Sequence, residues 1–125
     1  MHKLSFCNVT VINTDTVEIT FDNGVEINLD MVNEFWDFIE TKMPGKISVI
    51  LNKSTSYSYE FDASIALSES DRIKNIAVVC YDEISATASE YMKKSFNKSG
   101  KNIKIFHTKK EALDWLMEPI TDKQS

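Results

Sequence analysis

Arginine is nearly missing from this chain: Arg72 is the only one. Recognition of phosphate or carboxylate by forked guanidinium groups therefore has at most one donor. Glycine is almost as scarce. Gly24, Gly45 and Gly100 each fall between two patterned segments, where a turn is expected. No glycine is left for a phosphate-cradling loop, so neither the dinucleotide fingerprint nor the P-loop can be written in this sequence. The two prolines, Pro44 and Pro119, each close an amphipathic run. Long apolar runs are also absent, and no stable membrane insertion is expected. The opening "MHKLSFCNVTVIN" interleaves polar with apolar residues, unlike a signal peptide. The expected location is the cytoplasm, with Cys7 and Cys80 reduced. Cys80, inside "IAVVCY", reads as a small buried hydrophobe with no adjacent base to activate its thiol.

What is present is ordinary globular material. A chain of 125 residues with 42% hydrophobic and 26% charged content can bury a core without metal or disulfide. The expected organisation is one domain over 1–118 and a loose tail over 119–125. The formal net charge of −5 repels a polyanion at long range, so nucleic acid is not an expected partner.

The periodicity predicts an α/β fold. "VTVIN" (9–13) and "VEITFD" (17–22) read as an antiparallel N-terminal hairpin. Val17, Ile19 and Phe21 alternate with Glu18, Thr20 and Asp22, so one face of the second strand is expected to be wet. Asn23-Gly24 turns the chain into a short extended piece, "VEINL". A helix capped by Asp30 runs to Met43, with Met31, Val32, Phe35, Phe38 and Ile39 as its apolar stripe. "KISVILN" (46–52) and "IKNIAVVCY" (73–81) are nearly continuous apolar runs, suited to central parallel strands. A second helix is expected from Ile84 to Phe96, with Ala88, Tyr91 and Met92 inward. "NIKIF" (102–106) alternates as a last strand. In "TKKEALDWLM", Thr108 and Glu111 have capping-box spacing, and Leu113, Leu116 and Met117 share a face. Repeated strand-to-helix crossovers imply a mixed, mostly parallel sheet with three or four helices.

Ligands of open α/β sheets gather beyond the carboxyl ends of the strands. Three such ends are Asn52-Lys53-Ser54, Tyr81-Asp82-Glu83 and Phe106-His107-Thr108. Ser54 or Ser56, with His107 and Asp82, has the residue types of a nucleophilic triad, and a hydrolase is the third-ranked reading. The elbow glycines that expose a catalytic serine are missing. The plainer expectation is that Asp82 or a near neighbour caps one helix, Thr108 caps the last, and His107 is a solvated strand end. No motif calls for a cofactor, and a metal site would need two or three distant carboxylates around His107.

The tract "LNKSTSYSYEFD" (51–62) stands out. Tyr57, Tyr59 and Phe61 alternate at period two, so one side of it could be aromatic and the other polar. It could seal the sheet as a covering loop, or it could be an exposed recognition loop, since Tyr with Ser is good contact chemistry. "DASIALSES" beyond it could form a short helix capped by Asp62, anchored by Ile65 and Leu67.

"LNKSTSYSYEFD" and "IKIFHTKKEALDWL", with the order of elements, resemble the SpoIIAA-like group, also described as STAS-like or STAS/Sec14-like small bacterial proteins. The resemblance implies a SpoIIAA-like βα superhelix with helices mostly on one face of the sheet. It also implies a non-enzymatic role as a regulatory or protein-interaction module, working through the loop after the central strand. The Sec14-like side suggests a carrier or sensor of a small apolar ligand instead, lined by Tyr57, Tyr59 and Phe61, with Met92 and Trp115 as further linings. In the anti-sigma-antagonist branch a phosphorylated serine usually follows an aspartate; here Ser54 follows Lys53, so that switch is not carried over. The binding candidates are Asn52, Lys53, Ser54, Ser56, Tyr57, Tyr59, Asp82 and His107. An exposed edge at the N-terminal strands would invite pairing into a homodimer.

Overall fold

In the computed structural model, residues 2–83, 86–87, 90 and 102–117 are described. Their elements run β1 (His2–Lys3), β2 (Cys7–Asn13), β3 (Thr16–Phe21), β4 (Glu26–Ile27), α1 (Leu29–Lys42), β5 (Ile47–Asn52), β6 (Ser58–Tyr59), α2 (Phe61–Glu69), β7 (Ile73–Val79), β8 (Asn102–Phe106) and α3 (Lys109–Leu116). Most of the helix expected over 84–96, with Ala88, Tyr91 and Met92, and the tail over 119–125 lie outside the described residues.

The main sheet has the order β1-β2-β3-β5-β7-β8. β1, β2 and β3 are antiparallel, and β3, β5, β7 and β8 are parallel. The N-terminal hairpin and the parallel centre therefore stand as the periodicity implied. β1 was not expected, since two residues are too few to show alternation. From β3 through β5 to β7 the chain steps across the sheet in one direction. Right-handed crossovers then put the connecting helices on the same face. α1 and α2 do share a face, where Val32, Phe35, Ile39 and Ala63 meet Ile19, Val49 and Ile76. α3 follows the last strand and packs on the opposite face, with Ala112 and Leu116 against Ile50, Ala77 and Val79. Neighbouring residues of β5 and β7 thus serve two different cores, which is why both strands read as unbroken apolar runs.

The helix starts differ from the expected ones. Asn28, not Asp30, caps α1: its Oδ1 accepts from Met31 N at 3.0 Å. β4 holds the chain extended up to Ile27, so the helix can begin directly after Asn28, and Asp30 falls in the first turn. α2 starts at Phe61 behind Glu60, which makes no side-chain cap, and Asp62 is likewise in the first turn. Its inner stripe is Ala63, Ala66 and Leu67; Ile65 falls between these positions and is exposed. At α3 Thr108 caps as expected and its partner is Glu111: Thr108 Oγ1 accepts from Glu111 N at 3.2 Å and donates to Glu111 Oε1 at 3.0 Å, a hydroxyl bond in place of the capping box's bond to the Thr108 backbone N–H. Met117 is exposed instead of joining Leu116 inside.

Candidate functional site: the rim after the parallel strands

Parallel pairing delivers the ends of β5, β7 and β8 to one edge. Lys53 N donates to Val79 O at 2.9 Å, and Cys80 N donates to Phe106 O at 2.8 Å. His107 Nδ1 lies 3.4 Å from the Cys80 carbonyl oxygen. Asp82 is exposed and its backbone oxygen accepts from Ala86 N at 3.2 Å. Lys53, Asp82 and His107 thus share this edge. Lys53 is half-buried, with Nζ 4.2 Å from the Tyr57 ring centroid. Burial holds its ammonium below the ordinary lysine range, against the opposing pull of Cys80 and Asp82.

The other candidates are drawn elsewhere. Asn52 closes β5 but turns to the α3 face, where Nδ2 donates to Glu18 Oε2 at 3.0 Å. Its Oδ1 accepts from Ser54 N at 3.1 Å, an Asx turn that starts the loop. Ser56 N donates to Asn23 Oδ1 at 3.0 Å, and Thr55 Oγ1 donates to Phe21 O at 2.7 Å. These bonds carry the 55–56 stretch toward the β3–β4 turn, whereas His107 is held beside Cys80 on the β7–β8 side. Ser54 and Ser56 are exposed.

Backbone pairing continues from there. Gly24, in the left-handed region at φ 80°, donates its N–H to Ser56 O at 2.6 Å. Ser58 N donates to Val25 O at 3.0 Å and Glu60 N to Ile27 O at 2.8 Å, which makes the parallel β4–β6 ladder. The tract is a covering strand as well as a presenting one. Tyr57 and Tyr59 turn inward onto Phe21, with centroids 4.5 Å and 6.1 Å away. Phe61 points outward and is 76% exposed. The expected aromatic side therefore ends at Tyr59, because the chain becomes helical at Phe61 and period two no longer holds. The Tyr57 and Tyr59 hydroxyls are hydrogen-bonded to each other, and burial pushes both upward, Tyr59 to about 12.

Beneath Tyr59, between α1, α2 and the sheet, lies an apolar cavity of ≈ 50 Å³, lined among others by Phe21, Val32, Phe35, Leu51 and Leu67. Of the walls expected for a Sec14-like ligand, Tyr59 lines this cavity and Phe61 points outward. Trp115 instead packs on Phe106 at 5.7 Å on the opposite face, and Met92 lies outside the described residues. The sequence reading missed Leu29, the exposed first residue of α1, and Glu18, only 8% exposed inside the sheet. Alternation had marked Glu18 as wet, but β3 is an inner strand, and Asn52 of β5 and Lys109 at the head of α3 close over this position. Glu18 Oε1 receives Lys109 Nζ at 2.7 Å.

One solved structure has this arrangement over nearly its full length. An uncharacterised protein of the DUF3478 family from Shewanella loihica, described as having a SpoIIAA-like fold, superposes with a TM-score of 0.62. The match covers 93% of this chain and 98% of that one at 14% identity. The chain has a SpoIIAA-like fold. At that identity the likeness extends to the fold alone. No family model matches the sequence, and no curated protein matches it. The SpoIIAA-like fold here places its loops after β5, β7 and β8 on one rim. Among the described residues, no helix is long and apolar enough to cross a bilayer, and no cluster of three or more His, Cys, Asp or Glu could hold a metal.

Proposed function

We propose that this chain is a non-catalytic binding module that engages a protein partner through the rim, from Lys53 to the head of α2. The observation that carries the reading is the split within one clamped tract. Tyr57 and Tyr59 anchor it to Phe21 while Phe61, 76% exposed, is held outward on a backbone fixed by the β4–β6 ladder. A large ring presented on a pre-ordered backbone binds without first losing chain entropy. The exposed Ser54 and Ser56 hydroxyls and the half-buried Lys53 supply a polar margin beside it. The separate tethering of Ser56 and His107 favours this reading over hydrolysis, since a nucleophile must sit within hydrogen-bond reach of its base.

Photo-crosslinking in the cells that make the protein tests it. A benzoyl-phenylalanine at position 61 should give a discrete protein adduct, and the same group at Lys110, on the exposed side of α3, should not. Equal adducts from both positions, or none from position 61, would defeat the reading.

The apolar cavity favours a second reading, a sensor of a small apolar molecule. Its ≈ 50 Å³ is well short of the ~150 Å³ that accommodates a benzene ring, so the preformed space suits only a few heavy atoms. An acyl chain would require α1 and α2 to part.

A further inference from the structure

The β4–β6 ladder does more than hold the tract. Its parallel register pairs Ile27 with Tyr59, and two residues on in each chain α1 begins at Leu29 and α2 at Phe61. The first residues of the two helices therefore stand side by side at the rim. Leu29 is 44% exposed, and Ile65, one turn along α2 from Phe61, is 37% exposed. These three exposed apolar residues lie at the heads of α1 and α2, an apolar shoulder at the rim end of the two helices, whose Val32 and Leu67 line the cavity with Tyr59.

The charge around this shoulder is mostly negative, with the half-buried Lys53 at its margin. From Asp22 to Thr41 and from Ser54 to Asp71 the chain has ten of its nineteen acidic residues and no lysine, arginine or histidine. Asp22 is paired with Lys3, and Glu40 lies 4.0 Å from Arg72, away from the rim at the far end of α1. Glu26, Asp30, Asp37, Glu60, Asp62 and Glu69 are exposed and form no ion pair among the described residues. The helix dipole accounts for Asp30 and Asp62, each in a first turn. It does not account for Glu26 and Glu60, which precede the helices at the rim; Asp37 and Glu69 lie further from the rim, Glu69 at the far end of α2. Like charges gathered around an apolar patch cost stability unless something of opposite charge covers them.

We infer that the Leu29–Phe61–Ile65 shoulder, flanked by the exposed carboxylates of Glu26, Glu60 and Asp62, docks a cationic amphipathic helical segment of a partner protein. The inference rests on the binding-module reading and names the chemistry of its partner. The apolar side of such a helix lies over Phe61 and Ile65 in the groove between α1 and α2, and its lysines or arginines meet Glu26, Glu60 and Asp62. The carboxylates steer its approach and exclude acidic competitors, which include anionic membrane surfaces.

Fluorescence anisotropy with three synthetic 18-residue peptides tests this: an amphipathic Leu/Lys helix, its Leu/Glu counterpart, and a Lys/Ser peptide of equal positive charge without an apolar face. The Leu/Lys peptide should bind at least about tenfold tighter than either control, and its affinity should fall as salt rises. Phe61→Ala should weaken it by about tenfold, the loss expected of one central aromatic anchor. Phe61 is mostly exposed, so this variant should keep the wild-type circular dichroism and Tm. Glu60→Lys/Asp62→Lys should reverse the preference toward the Leu/Glu peptide. Equal binding of the Leu/Lys and Lys/Ser peptides would reduce the effect to bulk charge and overturn the inference. Phe61-dependent binding of the Leu/Glu peptide to the wild type would overturn the partner chemistry while leaving a docking surface in place. No Phe61-dependent binding of any peptide would remove the shoulder as a helix dock. Dimerisation on gel filtration that Phe61→Ala abolishes would assign the shoulder to a second copy and equally overturn the inference.

Discussion

Tyr59 sits where the covering tract meets the cavity, and the environment of its hydroxyl disfavours the phenolate. Burial raises it from an ordinary 10.0 to about 12, while its bond to the Tyr57 hydroxyl pulls slightly the other way. Cys7, fully buried at the start of β2, is raised from 9.0 to about 12 mainly by the same loss of solvent. Both groups bind their proton more tightly in the folded chain than in the unfolded one. Their contribution is therefore complete below the unfolded values and is lost as pH rises toward about 12. Stability to urea should be flat through neutral pH and then decline across roughly pH 9 to 12, within which Tyr59→Phe should decline less steeply than the wild type. The substitution removes one hydroxyl bond, at about 1 kcal/mol, so its curve should start lower and converge on the wild type at high pH. Parallel curves for the two proteins would show that Tyr59 does not titrate with unfolding.

At the scale of elements, the tie between β3, β5 and α3 is the clearest case of a polar group holding two layers together. Glu18 reaches from the centre of β3 to Lys109 at the start of α3, and its second oxygen accepts from Asn52 at the end of β5. Glu18 is nearly buried, while Lys109 is half exposed. Removing the carboxylate should therefore cost more than removing the ammonium. Glu18→Ala is expected to lose about 2–3 kcal/mol and Lys109→Ala about 0.5–1 kcal/mol. Because the two side chains touch, the double variant should lose less than the sum, by about 0.5 kcal/mol or more in urea unfolding. Additive losses would mean that Asn52 alone supports Glu18 and that α3 is held by its apolar contacts, Ala112, Leu116 and Trp115, without the ion pair. This tie was illegible in the sequence for a definite reason. Alternation says which residues share a face of a strand, but not whether a later helix covers that face. The same pattern placed Val17, Ile19 and Phe21 correctly inside, and the capping-box spacing of Thr108 and Glu111 found the start of α3 to the residue. Local hydrogen-bond chemistry is written in local sequence. At α1, by contrast, the cap moved to Asn28 because the distant Ser58–Tyr59 segment extended the preceding residues.

For the molecule as a whole, the legible part was the parallel centre: two apolar runs, β5 and β7, lie side by side and bring three loops to one rim. The two-residue strands β1, β4 and β6 have too few positions for any period to appear, so the stitching that turns Tyr59 inward and Phe61 outward was out of reach. So was the difference between the cores on the two faces. The core under α1 and α2 contains the ≈ 50 Å³ cavity, and at roughly 24 cal/mol per Å³ an empty space of that size costs about 1 kcal/mol. Val32 lies at its wall on the inner side of α1, almost fully buried. Val32→Ile extends one methylene into the space, and if the cavity is dry it should gain about 0.5–1 kcal/mol, with Tm rising by about 2–4 °C. Differential scanning calorimetry reads this directly, and native mass spectrometry of the same samples should show the bare polypeptide for both proteins. A lower Tm for Val32→Ile, together with a small-molecule mass present on the wild type and lost from the variant, would show the cavity to be occupied. The apolar-ligand reading would then displace the dry core, because a space that resists filling by one methylene is being kept for something else.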